Sequence, residues 1–347
     1  MNELDRARRA PFAYRSRMGS REFRAAIVQR PAVLLDRAAS TQRVLAGIEE
    51  VVGSGARLAV FPEAYLPGYP DYIWRLSPGE DFELSQRIHG RLVEQAVDID
   101  AGHLDPITDA ARAHGITIVL GIHERDAEYS RATLFNTVVT IGPDGSVLNR
   151  HRKLVPTNPE RMVWSPGDGA GLRVVETPLG RLGGLICWEN YMPLARFALY
   201  AQGVEIYVAP NWDEGDGWVS SMRHIALEGR CWVLGAGYST RAADIPADFP
   251  DRDRLYPDAD EWINQGDSVI VAPDGAIVAG PLRGEHGILT ADIDPALSGA
   301  SHYTLDTAGH YNRPDVFQLR VDRSRRRQVS FDDGASHTTT ASDVLEI

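Results

Sequence analysis

The sequence predicts a layered α/β fold in which large sheets, each covered by helices on one face, pack together as two layers. Two observations carry this. Apolar segments with strand and helix spacing alternate along the chain. Two turns of the same chemistry, Gly142-Pro143-Asp144-Gly145 and Ala272-Pro273-Asp274-Gly275, each separate two β-rich runs. Proline fixes φ early in each turn and glycine supplies the left-handed position, so both read as hairpins.

In order, Arg24–Gln29 reads as a strand, Leu35–Gly53 carries apolar residues at helical spacing, and Ala56–Phe61 is a second strand ending at Pro62-Glu63. Ser85–His114 reads as mostly helical, with Gly115 as its stop before the strand Ile116–Leu120. The first hairpin joins Leu134–Ile141 to Ser146–His151. Strands are then expected at Gly171–Val175, Arg181–Ile186, Ile206–Ala209 and Cys231–Ala236, with helices over Pro193–Gln202 and Ser220–Gly229. The second hairpin joins Ser268–Val271 to Ala276–Gly280. Thr240–Asn264 is polar, rich in Pro and Asp and without firm periodicity, and is expected to be an irregular surface excursion.

Composition narrows the function. The chain has 347 residues, 43% of them hydrophobic, enough for a substantial core. Thirty-six Lys and Arg against 48 Asp and Glu leave a formal charge of −12, which argues against general attraction to nucleic acid or an anionic membrane surface. No apolar run approaches the roughly 18 residues that span a bilayer. Two cysteines without zinc-ligand spacing suit a reducing, cytoplasmic setting. Residues 1–21 form an expected basic arm (Arg6, Arg8, Arg9, Arg15, Arg17) lacking the apolar core of a secretory signal, residues 22–320 the folded domain, and residues 321–347 a polar, flexible tail.

Three charged or nucleophilic residues stand where apolar strands end. Glu63 follows Leu58-Ala59-Val60-Phe61-Pro62, Lys153 follows the first hairpin, and Cys187 follows Leu182–Ile186. Singly, they suit a turn carboxylate, a solvated charge and a core thiol. Jointly they point to a site, because the carboxyl ends of strands are where α/β proteins build them. Cys231 lies inside an apolar strand and keeps the reading of a core thiol.

Four ordered motifs, Phe61-Pro62-Glu63, His151-Arg152-Lys153-Leu154-Val155-Pro156-Thr157, Cys187-Trp188-Glu189-Asn190 and Gly309-His310-Tyr311-Asn312-Arg313-Pro314-Asp315, spread over some 250 residues. With them the chain, from about Phe23 to Leu319, resembles the nitrilase branch of the carbon–nitrogen hydrolase superfamily. The resemblance implies a four-layer αββα sandwich, a Glu-Lys-Cys triad of Glu63, Lys153 and Cys187, and a second, structural carboxylate at Glu160. It also places Asn211 and Trp212 near the pocket wall, with Tyr65 comparable after Glu63. Trp188 suits packing and substrate contact equally by residue type. It further implies a homo-oligomer, a dimer or larger, extending into a spiral or filament, with Thr240–Asn264 and the segment after Leu319 as possible contact elements.

The chemistry accounts for the residue types. Cys187 would attack a nitrile carbon to give a thioimidate, Glu63 would take the thiol proton and later activate water, and Lys153 would stabilise the tetrahedral species and favour ionised Cys187. Water then carries the reaction through an acyl thioester to a carboxylic acid and ammonia. Neither metal nor other cofactor is required. His151, His123, His224 and His310 are too dispersed for a recognised ligand pattern. His310 and Arg313 are expected to tie the final segment to the core or to an interface. An amidase or carbamoylase, or a cyanide dihydratase, would use the same triad, and loss of a triad member would have favoured a non-catalytic binding protein. Trp188, Trp212 and Tyr65 suit a flat wall for an aryl or arylalkyl nitrile, or simply a narrow pocket.

Overall fold

The computed structural model describes residues 21–126 and 130–326. The expected basic arm, apart from Arg21, and the tail from residue 327 lie outside the described residues.

The chain opens with β1 (Phe23–Gln29), α1 (Arg37–Gly53), β2 (Ala56–Val60), α2 (Phe82–Gln95), α3 (Asp105–His114) and β3 (Thr117–Arg125). The first hairpin follows as β4 (Leu134–Ile141) and β5 (Val147–Arg152). Next come β6 (Val175–Thr177), β7 (Gly180–Gly184), α4 (Pro193–Tyr200), β8 (Ile206–Asn211), α5 (Asp216–Gly229), β9 (Trp232–Gly237) and β10 (Ser239–Arg241). The chain closes with α6 (Arg252–Leu255), β11 (Trp262–Val271), β12 (Ile277–Arg283), β13 (Gly287–Ile293) and α7 (Ala296–Ser301).

One sheet has the order β13-β1-β2-β3-β4-β5; the other runs β10-β11-β9-β8-β7-β6, with β12 added to β11. Strand alternation sorts the apolar residues into layers. Ala25, Ile27, Leu58, Val60 and Val119 of the first sheet share one core with Leu182, Ile206, Val208, Leu234 and Ala236 of the second. Their sequence neighbours face outward: Ala26, Val28 and Ala59 pack with Val44, Ile48 and Val51 of α1. On the far side Tyr207, Ala209 and Val233 pack with Leu199 of α4 and Met222 and Ile225 of α5. The result is the four-layer αββα sandwich. Cys231 is buried in this last core, as expected of a core thiol. Among the described residues no helix is long and apolar enough to cross a membrane.

Four segments depart from the sequence reading. Ser85–His114 is broken in two because Val97 turns extended and bridges to Glu124 at the end of β3, its N–H donating to the His123 carbonyl at 2.7 Å. The strand expected at Gly171–Val175 is instead a tight turn at Gly169–Gly171 followed by the short β6. A Cβ at Gly171 would stand 2.3 Å from Cα of His151, so this stretch crosses β5 too closely for a ladder of side chains. β13, not anticipated from the sequence, pairs antiparallel with β1 at the sheet edge.

The largest correction concerns Thr240–Asn264. It is no loose excursion: Ala242, Ile245, Phe249, Leu255 and Tyr256 are buried in the helix-side core. Phe249 packs on Tyr72 with ring centroids 5.6 Å apart, and the Tyr256 hydroxyl donates to Asp71 Oδ2 at 2.7 Å. The segment is polar on average, yet these few apolar side chains are buried together in one core.

Candidate active site

Glu63 is carried just past the end of β2. The Pro62–Ala64 backbone lies across β3 at Gly121, where a Cβ would come within 2.3 Å of the Pro62 carbonyl oxygen and 2.4 Å of the Ala64 nitrogen. Only glycine lets the chain deliver Glu63 inward at this height. The carboxylate is fully buried. Its Oε1 accepts hydrogen bonds from Lys153 Nζ at 2.7 Å and Asn136 Nδ2 at 2.6 Å, while Oε2 has no hydrogen-bond partner among the described residues.

Lys153 leaves β5 with its backbone N–H bonded to the Asn136 carbonyl at 2.7 Å. Its ammonium also donates to Glu160 Oε2 at 2.7 Å. Glu160 sits in a short turn, Asn158–Met162, capped at Thr157, whose N–H donates to the same Oε2 at 2.6 Å. The Tyr69 hydroxyl donates to Oε1 at 2.7 Å. Three donors converge on Glu160, which suits an acceptor-only carboxylate.

Cys187 opens the turn Cys187–Tyr191 with φ of 50°, a left-handed conformation that costs free energy for a residue bearing a Cβ. The turn is held by Asn190, whose Nδ2 donates to the Cys187 carbonyl at 2.7 Å and whose Oδ1 accepts from the Tyr207 hydroxyl at 2.8 Å.

The electrostatics follow from burial. Desolvation pushes Glu63 up to about 7, Lys153 opposing and Glu160 adding to the rise. Burial disfavours the Lys153 ammonium, yet Glu63, Cys187 and Glu160 together more than compensate, and its pKa rises. For Cys187 burial dominates, Glu63 adds to it, and the thiol is pushed well above its ordinary value although Lys153 and a backbone hydrogen bond from Trp212 favour ionisation. Lys153 thus favours an ionised sulfur as expected, but desolvation, with Glu63 adding to it, outweighs that help.

The residues expected to meet substrate diverge. Trp212 belongs to the site: its ring stacks on Tyr69, centroids 3.9 Å apart and planes 8° from parallel, while its main chain reaches the thiol. Asn211 is buried and spends its side chain on the adjoining turn, Oδ1 accepting from Asp213 N–H at 2.8 Å. Trp188 is half exposed, its Nε1–H donating to Asp213 Oδ2 at 2.9 Å. Tyr65 takes a packing position instead of the expected substrate contact, enclosed in the helix-side core between Phe61 and Tyr238 at 5.3 and 5.9 Å. His310 and Arg313 do not tie the last segment to the core either: both are exposed, Arg313 paired with Asp315.

Sequence reasoning missed Asn136 and Tyr69. A lone amide inside the apolar run Leu134–Ile141 was the available signal for the first; nothing marked the second. Beside Trp212 opens a cavity of about 330 Å³ lined by Asp71, Trp74, Arg75, Trp212, Glu261 and Ile263.

Comparison with known proteins places the chain in a family. The carbon–nitrogen hydrolase family matches residues 24–303. An aliphatic nitrilase of Sinorhizobium fredii is 40% identical over 314 residues, covering 89% of this chain and 98% of that protein. A nitrilase of Bradyrhizobium diazoefficiens is 41% identical over 309 residues, covering 89% and 94%. The crystal structure of a carbon–nitrogen hydrolase from Helicobacter pylori shares the fold, with a TM-score of 0.65 at 17% identity over 86% of this chain and 97% of that one. The chain belongs to the carbon–nitrogen hydrolase family, within its nitrilase branch.

Proposed function

We propose that this enzyme hydrolyses nitriles to carboxylic acids and ammonia with Cys187 as nucleophile, Glu63 as general base and Lys153 as the stabilising cation. The observation that carries the reading is the division of labour on Glu63: Oε1 is held by Lys153 and Asn136, and Oε2 stays open. A buried carboxylate with one occupied and one open oxygen is fixed in orientation and still able to accept a proton.

Sulfur attacks the nitrile carbon while Glu63 takes the thiol proton and passes it to nitrogen, giving a thioimidate. Water, deprotonated by Glu63, adds to this carbon. The C–N bond of the tetrahedral species breaks, protonated nitrogen leaves as ammonia, and an acyl thioester remains. A second water, activated in the same way, releases the acid and restores the thiol. Two of the three N–H bonds of Lys153 go to Glu63 and Glu160, leaving the third for charge that develops on the tetrahedral species. The backbone N–H of Trp188, at the start of its turn, adds to it. Glu160 holds Lys153 in place. The nitrile side chain extends past Trp212 toward the cavity beside it, with Trp74 and Ile263 as apolar walls.

The relatives named as nitrilases support the substrate class, and one of them is named as acting on aliphatic nitriles. A panel of short aliphatic, arylacetic and aromatic nitriles, with ammonia, acid and amide all quantified, tests the assignment. Cys187→Ala is expected to abolish turnover and keep the fold; hydrolysis retained by that variant would sink the mechanism. Self-association belongs to the same reading. Leu194, Tyr311, Val316 and Phe317 are exposed apolar side chains that line one groove beside α4, a surface suited to covering by a second copy. Sedimentation is expected to show a dimer or larger, and Leu194→Asp to shift it toward monomer.

A further inference from the structure

Glu189 lies two residues after the nucleophile and is fully enclosed, yet the mechanism above gives it no proton to carry. Each of its oxygens is committed. Oε1 accepts the backbone N–H of Leu154 at 2.7 Å; Oε2 accepts the backbone N–H of Ile186 at 2.7 Å and the Nε2–H of His151 at 2.9 Å. Leu154 follows Lys153 directly, and Ile186 directly precedes Cys187.

We infer that Glu189 is a positioning residue: a buried clasp that ties the Lys153 loop of one sheet to the Cys187 turn of the other and so sets where the thiol stands relative to Lys153 and Glu63. Among the described residues no disulfide and no sheet ladder does this job. β5 and β7 belong to different sheets, so no ladder fixes their separation. The Cys187 backbone sits at positive φ, a conformation that persists only where its surroundings over-determine it. His151, on β5 itself, supplies a donor from the strand that carries Lys153. Burial works against charge on Glu189, but His151 and the two backbone N–H groups outweigh it and hold the carboxyl below its ordinary range. An acceptor-only carboxylate requires all three partners to donate, so His151 carries its proton on Nε2.

The inference rests on the assignment of Cys187 as nucleophile, and the test separates the two. Glu189→Gln keeps size and one acceptor but sets an amide N–H against a donor; Glu189→Asp keeps the charge but is one methylene too short to reach both loops. Each is compared with wild type by the rate of Cys187 alkylation by iodoacetamide, read on the Cys187 peptide by mass spectrometry, by kcat and KM for a turned-over nitrile, and by thermal melting. A clasp predicts alkylation at least tenfold slower and kcat at least tenfold lower in both variants, KM within about threefold, at temperatures where circular dichroism shows both folded. Alkylation and kcat within twofold of wild type in a folded Glu189→Gln or Glu189→Asp overturns the clasp. Slowed alkylation in a protein that turns over no nitrile upholds the clasp and removes the substrate assignment instead.

Discussion

Removing the charge of Glu160 without its shape is the sharpest test of the charge arrangement. In Glu160→Gln the amide oxygen can still accept from Lys153 and Thr157, and the amide N–H₂ can donate to a Tyr69 hydroxyl turned to accept. What disappears is a negative charge close to Glu63. Both carboxylates bond the same Nζ at 2.7 Å, so their bonded oxygens lie no more than about 5.4 Å apart, where like charges repel by about 3 kcal/mol at an effective dielectric constant near 20. That energy corresponds to about 2 pH units. Losing it stabilises ionised Glu63, so the direction is downward: the acid limb of kcat/KM, set in the wild type by Glu63 near 7, moves toward about 5. The maximum kcat falls roughly tenfold to a hundredfold, because Lys153 exchanges a charged partner for a neutral one. Ammonia release measured from pH 4.5 to 8.5, with folding checked at each pH, gives both quantities. An acid limb that stays near 7, or rises, refutes the reasoning, since Glu63 then does not feel Glu160 or does not set the limb.

Other expectations follow from the same geometry. Tyr69→Phe keeps the stack on Trp212 and loses one bond to Glu160; kcat is expected to fall about tenfold, the cost of a charge-assisted hydrogen bond, with KM little changed in steady-state assays. Arg152 is buried against Glu124 and Asp126 and lies over the Phe135 ring at 3.9 Å; Arg152→Met leaves two buried carboxylates short of a cation and should lower stability by about 3–5 kcal/mol in urea titration. Burial pushes Asp71 up to about 7, against the help of Tyr256 and Arg75. A raised carboxyl binds its proton more tightly in the folded state, so native stability drops as pH rises between about 4 and 7. Asp71→Asn escapes that loss, and its melting temperature should gain on the wild type across this window, by no more than about 4 kcal/mol in free energy; a constant difference would show that Asp71 does not titrate there.

Much of the candidate site was legible because the three residues proposed to react close apolar runs. Glu63, Lys153 and Cys187 are conspicuous where Leu58–Pro62, the first hairpin and Leu182–Ile186 give out, and a change from apolar to charged is a local signal. The groups that hold them were hidden for the opposite reason. Tyr69 and Asn136 act across 91 and 73 positions of sequence respectively, and only tertiary packing brings them in. Tyr65 misled because adjacency to Glu63 says nothing of direction, and the chain turns sharply at Ala64, where φ is 47°. Thr240–Asn264 misled because average polarity conceals a few apolar side chains that share a core. β13 escaped notice since Gly287-Ile288-Leu289-Thr290-Ala291-Asp292-Ile293 gains its partner, β1, from the opposite end of the chain.

Asn136 touches both halves of the charge pair, its carbonyl accepting from the Lys153 backbone and its amide donating to Glu63 Oε1. On the proposed mechanism this leaves Glu63 a single seat for a proton. A carboxylate with two open oxygens could take its one proton from the thiol on one side and from water on the other. With Oε1 occupied, the thiol and each attacking water must in turn meet Glu63 at the same oxygen. Attack, hydration and release thereby share one point of proton transfer, fixed in place by an amide 73 positions away.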